Sequence, residues 1–328
     1  RSRGLGDVYK RQAAFTPWQQ RAYDQALAAL QAGRLGHALV LAGPAGGGKR
    51  AVADRLARYV LSAGAPDGDN RDTQLIDAGT HPDLQRVSFI PTRDGTKLRT
   101  EIVIDQIREL SQKLSLTPQY GRAQVAIIDP ADAVNTAAWN ALLKTLEEPQ
   151  PGRYLWLLSA EPMRLPATIR SRCQRLEIRL PAREEALAWL AAQDYPHGAA
   201  AEALDAARGH PGLALSWLAE GGMALRREVA SDLAKLERGQ VSAVETAQRW
   251  AGDEHAALRL RFAAELALTQ SADAALTDPA RLNKLAAWFD AANRTRDLLR
   301  TTVRADLAIV DLLLAWRGTR DASNGGRG

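Results

Sequence analysis

The chain has 328 residues, of which 46% are hydrophobic and 25% are charged, a balance that can bury the cores of two or three domains. The lone cysteine, Cys173, excludes a disulfide within the chain, and no apolar run reaches membrane-spanning length. We therefore expect a cytoplasmic protein without membrane partners. The formal net charge of +5 tolerates a nucleic-acid neighbour, but the Lys and Arg residues are scattered rather than clustered.

The N-terminal part of the chain predicts a helix and a strand. The first twelve residues share no periodicity with the residues after them, and we expect residues 1–12 to be an adaptor or gene-prediction scar outside the fold. Trp18–Ala32 predicts a helix because alanine and leucine recur on one of its sides, and Gly33 ends it. The apolar run His37–Ala42 predicts a buried strand.

A glycine-rich segment follows this strand directly. It reads Gly43-Pro-Ala-Gly-Gly-Gly-Lys49 and leads into a predicted helix from Arg50 to Leu61. A strand, a glycine-rich loop and a helix are the context of a phosphate-binding loop, so Gly43, Gly48 and Lys49 are candidate nucleotide-binding residues. Lys49 would reach the outer phosphates. Arg50 stands where such a loop needs Ser or Thr to hold Mg²⁺, and a guanidinium cannot ligate a metal.

The segment between this helix and the middle of the chain carries weaker signals. Gly64–Arg71 is predicted as a polar turn, and Pro91–Thr100 as a polar loop. Leu84–Phe89 is predicted as a strand, and Ile102–Leu114 as an amphipathic helix whose apolar residues share one face. These elements extend an alternation of strands and helices that is typical of a parallel α/β sheet.

The strongest pattern lies in the middle of the chain. The apolar run Val125–Ile128 predicts a buried strand, and Tyr154–Leu158 predicts the next one. Between them a helix is predicted over Asn135–Glu148, with Asn135 as its N-cap and Pro149 as the residue that stops it.

Polar residues follow this pattern at two places. Asp129 comes directly after the first of the two strands, and Ser171-Arg172-Cys173 follows a short turn and helix after the second. Ligands and charges of open α/β sheets gather at the carboxyl ends of the strands. We therefore expect both Asp129 and the segment Ser171–Cys173 at that edge.

Beyond Pro181 no further strand-like run occurs, and alanine-rich helical patterns take over. We expect a small helical lid over residues 181–222, a helical bundle over 223–317 and a disordered tail over 318–328. The last predicted helix carries four apolar residues at near-heptad spacing, which favours the core of the bundle over a seam for a partner. They are Val303, Leu307, Val310 and Leu314.

Two of these motifs carry a family resemblance. Asn140-Ala-Leu-Leu-Lys-Thr-Leu-Glu-Glu-Pro149, followed by Leu165-Pro-Ala-Thr-Ile-Arg-Ser-Arg-Cys173, resembles the signature of the AAA+ clamp-loader subunits of bacterial DNA polymerase III. The resemblance covers about residues 15–215. It implies an α/β AAA+-type parallel-sheet domain over residues 13–180, then a small helical lid and an all-α C-terminal bundle that forms part of a collar.

The resemblance also indicates that this chain has lost hydrolysis. A motor subunit of the family needs a loop hydroxyl, an acid that holds Mg²⁺, a second acid that orients water and an arginine in the lid. Asp129 supplies the acid that would hold Mg²⁺. Arg50 stands in place of the hydroxyl, Pro130 in place of the second acid and Gly212 in place of the lid arginine. Three losses in separate segments indicate a degenerate site, in which residual ATP binding is possible and no cofactor is required.

Arg172 is kept, together with its motif neighbours Ser171 and Cys173. The resemblance implies that Arg172 acts in trans as an arginine finger in a neighbour's ATP site, a role worth roughly 10³ to 10⁵ in rate. Arginine suits it because its charge is permanent and its planar fork matches phosphate oxygens. The competing interpretation is a surface arginine in a basic run. The other members of that run are Arg164, Arg170, Arg175 and Arg179.

A metal site is not expected. Many relatives carry a cysteine-liganded zinc module in the region before Ala78-Gly-Thr-His-Pro-Asp83, but this chain has no cysteine there. A structural zinc site needs about four soft or imidazole ligands, which His81 alone cannot supply. We predict no zinc, and we expect His81 to form local hydrogen bonds.

The resemblance implies a non-hydrolysing, stator-like subunit in a heteropentamer. Its partners would be the gamma/tau motor subunits and the delta subunit, and through the complex the sliding clamp and primed DNA. The main alternative is an active gamma/tau-type ATPase, in which Lys49 and Asp129 suffice. A third interpretation, a free-standing nucleic-acid-binding protein, ranks last because no aromatic residues are interleaved on a basic face.

Overall fold

The structure is a computed structural model. It describes residues 15–66, 68, 70–92, 95, 99–121, 123–274, 278–299 and 304–317. The expectations for residues 1–12 and for the tail 318–328 lie outside this range. None of the described helices is long and apolar enough to cross a membrane. The chain divides into two compact units between Glu185 and Ala186, and each is described by itself.

A five-stranded parallel sheet forms the centre of the first unit. The strands are β1 (Ala38–Ala42), β2 (Leu84–Val87), β3 (Gln124–Ile128), β4 (Arg153–Ser159) and β5 (Gln174–Glu177). Their order across the sheet is β2-β3-β4-β1-β5, and every neighbouring pair is parallel. All residues of β1 and β3 are buried, as expected for parallel strands covered on both faces.

Helices cover both faces of this sheet. They are α1 (Pro17–Gln31), α2 (Lys49–Leu61), α3 (Arg71–Asp77), α4 (Ile104–Ser115), α5 (Thr136–Glu147) and α6 (Ala167–Arg170). On one face, α4 and α5 bury Ile107, Leu142 and other apolar residues against strand residues such as Ile128. On the other, α2 packs on the central strands and beside α1. This arrangement confirms the α/β AAA+-type class.

The helix between the two central strands follows its local signals closely. Asn135 lies at the N-cap of α5, and its side-chain oxygen accepts a hydrogen bond from the N–H of Ala138 at 3.0 Å. The helix ends at Glu147, two residues before Pro149. Local signals decide both ends of this helix, which is why the sequence predicts it to within one residue at each end.

Two elements have no counterpart in the sequence predictions. The first, α3, begins at Arg71, where Asn70 caps it by accepting from the N–H of Thr73 at 3.0 Å. The second, β5, is an edge strand in which only Leu176 is buried. Its mostly polar sequence lacks the apolar run that marks β1 and β3, because an edge strand is covered less completely.

The second unit is all-helical in the residues described. Its helices are α7 (Arg183–Ala191), α8 (His197–Ala206), α9 (Pro211–Ala219), α10 (Gly222–Glu237), α11 (Ala243–Ala251), α12 (Ala256–Ala274), α13 (Pro279–Leu298) and α14 (Ala305–Arg317). The division between the units falls inside α7. One apolar cluster extends from Ala186 to Trp316, with Trp250 and Phe262 fully buried. The boundary between a lid and a bundle at residue 222 stays a prediction.

The last helix packs with a different face from the one the sequence predicts. Leu307 is 54% exposed and Leu314 is 49% exposed, so the expectation that they belong to the bundle core is wrong. The buried face carries Ile309, Leu312, Leu313 and Trp316. The helix is apolar on more than one side, and packing against α11 and α13 selects the face with the tryptophan. Val310 is half-buried, and Val303 lies outside the described residues.

Candidate functional site

The glycine-rich loop lies at the carboxyl end of β1. Gly46 and Gly48 have φ of 79° and 90°, a left-handed backbone that favours glycine. A Cβ atom at Gly48 would also overlap the end of the Gln19 side chain of α1, which would have to move. Helix α2 begins at the next residue, Lys49, without a side-chain cap. The strand, loop and helix of a phosphate-binding loop are therefore all present.

The lysine of this loop is folded back onto the loop itself. The Nζ of Lys49 donates to the carbonyl oxygens of Gly43 at 2.8 Å and Pro44 at 2.9 Å, and the residue is only 9% exposed. Burial lowers the pKa of the Lys49 ammonium, and the nearby carboxylates of Asp129 and Asp132 oppose that shift. The lysine thus lies near both acids that follow β3.

The residue after the lysine forms an ion pair with the candidate metal-binding acid. The Nε of Arg50 donates to Oδ2 of Asp129 at 2.6 Å. Magnesium in a motor of this family would need a hydroxyl at position 50 and a free oxygen on Asp129. Position 50 supplies no lone pair, and its guanidinium occupies Oδ2 of the Asp129 carboxylate. The residues present therefore do not fit Mg²⁺.

Two further polar residues belong to this edge of the sheet, and the sequence reasoning missed them. Asp132 follows β3 by four residues and accepts hydrogen bonds from Ser159 Oγ at 2.5 Å and from the backbone N–H of Ala160 at 2.7 Å. Ser159 ends β4, which lies between β1 and β3. The sequence signal that could have indicated Asp132 is that it is a second acid, three residues after Asp129 and in the same turn.

The segment Ser171–Cys173 does not lie at this edge. Cys173 directly precedes β5, and Gln174 at the start of β5 is level with Leu39 near the start of β1. Because all strands are parallel, the segment lies at the amino ends of the strands, whereas Asp129 lies at the carboxyl ends. The expectation that they share one edge is wrong. A strand that the sequence analysis did not predict, β5, decides this placement.

Arg172 is held by contacts within the chain. Its Nη2 donates to Oε1 of Glu147 at 2.7 Å, and its Nη1 donates to the carbonyl oxygen of Thr168 at 2.9 Å. Its side chain is 37% exposed. Glu147 ends α5, so both motifs that carry the family resemblance meet at this ion pair. The structure thus places Arg172 at the surface, on the opposite edge of the sheet from Lys49.

The two neighbours of Arg172, Ser171 and Cys173, hold this segment in place and have no chemical role. Ser171 Oγ donates to the carbonyl oxygen of Thr168 at 3.2 Å, which closes the end of α6. Cys173 packs against the apolar cluster under α4 and α5. Burial raises the pKa of the Cys173 thiol to about 11, so it stays protonated at neutral pH and is neither a nucleophile nor a ready metal ligand.

The region around His81, where we predict no zinc, is held by hydrogen bonds. His81 is buried and its Nδ1 accepts from the N–H of Asp83 at 3.1 Å, while its Nε2 lies 3.5 Å from Asp72. The Asp83 carboxylate accepts from the N–H groups of Gln119 at 2.8 Å and Tyr120 at 2.9 Å. Within the described ranges no three His, Cys, Asp or Glu side chains group as a metal site. The absence of zinc stays a prediction.

The fold and the loop define an α/β domain with a phosphate-binding-type loop, and comparison with known proteins identifies its family. A family model described as the delta subunit of DNA polymerase III matches residues 18–182. The chain is 37% identical over 252 residues to the DNA polymerase III delta' subunit of Pseudomonas aeruginosa, an alignment that covers 75% of this chain and 72% of that protein. The chain therefore belongs to the DNA polymerase III delta-subunit family, with delta' proteins as relatives.

A second curated relative and a solved structure are also similar to this chain. The chain is 35% identical over 206 residues to the delta' subunit of Escherichia coli K12, covering 61% of this chain and 60% of that protein. Among solved structures, a gamma-subunit-related protein of DNA polymerase III from Thermotoga maritima is 18% identical, with a TM-score of 0.48, over 86% of this chain and 94% of that one. The resemblance to the clamp-loader subunits of bacterial DNA polymerase III is confirmed by the family model and by the two delta' relatives.

Proposed function

We propose that the chain is a non-hydrolysing, stator-like subunit of the replicative clamp loader. It contributes Arg172 to the ATP site of a neighbouring motor subunit and helps to load the sliding clamp on primed DNA. The observation that carries this proposal is the position of Arg172 at the surface, on the opposite edge of the sheet from the chain's own loop. An arginine placed there can reach phosphate only in another subunit.

The energy of the Arg172 contacts supports a role in trans. An exposed ion pair such as Arg172–Glu147 contributes about 0.2–1 kcal/mol, because water screens it. An arginine finger lowers a phosphoryl-transfer barrier by about 4 to 7 kcal/mol. The pair with Glu147 is weak, so the guanidinium can leave Glu147 for a neighbour's phosphate at little cost in energy. In the separate chain Glu147 holds the arginine, and in the complex the phosphate takes it.

The proposed partners are the gamma/tau motor subunits and the delta subunit, with the clamp and the DNA reached through the complex. The exposed side of α14 supports a helical contact with other subunits. Leu307 and Leu314 lie seven residues apart on that side and are about half exposed. A seam of this kind is typical of helices that pack against another subunit. The helical unit would then form part of the collar of a five-subunit complex.

The isolated chain is expected to show no ATP hydrolysis. The loop lacks a metal-binding hydroxyl because Arg50 occupies its position, and Pro130 follows Asp129 where a motor has glutamate. Gly212 stands where a motor has the lid arginine. The measurement is phosphate release by the purified full chain with ATP and Mg²⁺. Steady release that Lys49→Ala abolishes would contradict the proposal and favour the gamma/tau-type ATPase.

Replacing Glu147 is expected to leave the ATPase rate of the assembled complex close to the wild-type rate. The ion pair that Glu147→Gln removes is exposed, and such pairs contribute at most about 1 kcal/mol. Steady-state hydrolysis by the reconstituted complex is the measurement, and Glu148→Gln, an exposed glutamate next in the chain, is the matched control. A loss as large as that of Arg172→Ala would show that Glu147 is itself required in the neighbour's site.

A further inference from the structure

The contact between Arg50 and Asp129 joins the two positions that hold the metal in a hydrolysing relative. Position 50 follows the loop lysine on α2, and Asp129 follows β3. The two residues are 79 positions apart in the chain, yet their side chains meet at 2.6 Å. The Arg50 side chain remains 68% exposed, so the arginine lies over the site rather than in the core.

The charges at this edge are balanced without a metal ion. Lys49 and Arg50 supply two positive charges, and Asp129 and Asp132 supply two negative ones. The pKa of Lys49 responds to both carboxylates, which places the lysine within their field. The four formal charges therefore sum to zero, and Arg50 and Asp129 form a direct ion pair. A divalent cation at Asp129 would have to displace a guanidinium and would then lie beside two cations.

We propose that the Arg50 guanidinium takes the place of the divalent cation, so that the loop of this chain admits no Mg²⁺. The guanidinium is always charged and is attached to the loop, so it neutralises Asp129 at any metal concentration. Any phosphate ligand that the loop takes is bound without a metal. This inference rests on the proposed function in one respect, because both state that the chain does not hydrolyse ATP. Its test measures metal binding and not ATP turnover.

The experiment uses Mn²⁺ as a paramagnetic probe for the Mg²⁺ position. Free Mn²⁺ is measured by electron paramagnetic resonance while the full chain is titrated in the presence of ADP, with ADP alone as the reference. The wild-type chain is expected to bind no Mn²⁺–ADP beyond that reference. Arg50→Ser restores a hydroxyl and frees Asp129, and it is expected to bind one Mn²⁺–ADP per chain.

Three variants make the result specific. Asp129→Asn in the Arg50→Ser background should abolish the gain, because the freed carboxylate is removed. Arg50→Lys should gain nothing, because the positive charge remains and an ammonium offers no lone pair. Arg86→Ser is the matched control, because Arg86 forms a comparable exposed ion pair with Asp54 at 3.0 Å, away from the loop. It should also gain no Mn²⁺.

Two outcomes would overturn the inference. One is stoichiometric Mn²⁺–ADP binding by the wild-type chain that Asp129→Asn abolishes, since the metal would then coexist with the ion pair. The other is a folded Arg50→Ser chain that gains no Mn²⁺, since something other than Arg50 would then exclude the metal. Both leave the proposed role of Arg172 untouched. A failure of that role would appear only in the ATPase rate of the complex.

Discussion

In a clamp loader reconstituted with Arg172→Ala, ATP hydrolysis at the adjoining motor site is expected to fall by about 10³-fold or more. The alanine removes the permanent charge that would face the transferring phosphate. Total hydrolysis by the complex should fall only by the share of that one site, and clamp loading should slow with it. The measurements are steady-state phosphate release and the rate of loading of a labelled clamp on primed DNA.

The controls separate this role from surface charge. Arg172 is partly exposed, so the alanine variant should fold with a free energy of unfolding within about 0.5 kcal/mol of the wild type. Arg172→Lys should rescue only in part, because an ammonium lacks the planar fork. Arg175→Ala removes an exposed arginine from β5 and should do little. If the Arg172→Ala complex works at the wild-type rate, Arg172 is only surface charge.

Trp250→Ala is expected to lower the free energy of unfolding of the helical unit by about 3–5 kcal/mol. Trp250 lies on α11 and is fully buried, and its indole N–H donates to a carboxylate oxygen of Asp232 at 2.9 Å. Its loss leaves a cavity and removes a partner of a buried acid. Chemical denaturation followed by far-ultraviolet circular dichroism measures the effect. Trp250→Phe should cost less because the ring still fills most of the space.

Leu307→Ala is the matched control in the same unit. Leu307 is an exposed apolar residue of α14, so its loss should change the free energy of unfolding by no more than about 0.5 kcal/mol. If Leu307→Ala destabilised the chain as strongly as Trp250→Ala, the assignment of the buried face of α14 would be wrong. Weaker assembly of the complex with an unchanged free energy of unfolding would support the seam proposed for that helix.

Local signals in the sequence determined several elements of this protein. Asn135 and Pro149 delimit α5 because capping and the missing N–H of proline act within a few residues. The apolar runs predict β1 and β3 because central parallel strands are buried on both faces. The glycine-rich loop between β1 and Lys49 is also local, since its left-handed glycines are required wherever the loop forms. These patterns and two signature motifs sufficed to indicate the family.

Contacts between distant segments were decided only by the tertiary structure. The sequence identified Arg50 as unable to hold a metal, but that it pairs with Asp129 depends on β1 and β3 lying on either side of β4. The edge that carries Arg172 depends on β5, whose exposed residues give no apolar pattern. The buried face of α14 depends on its neighbours, because more than one of its sides is apolar. The periodicity of apolar residues along a helix shows which residues can be buried. Packing against the neighbouring helices decides which of them are buried.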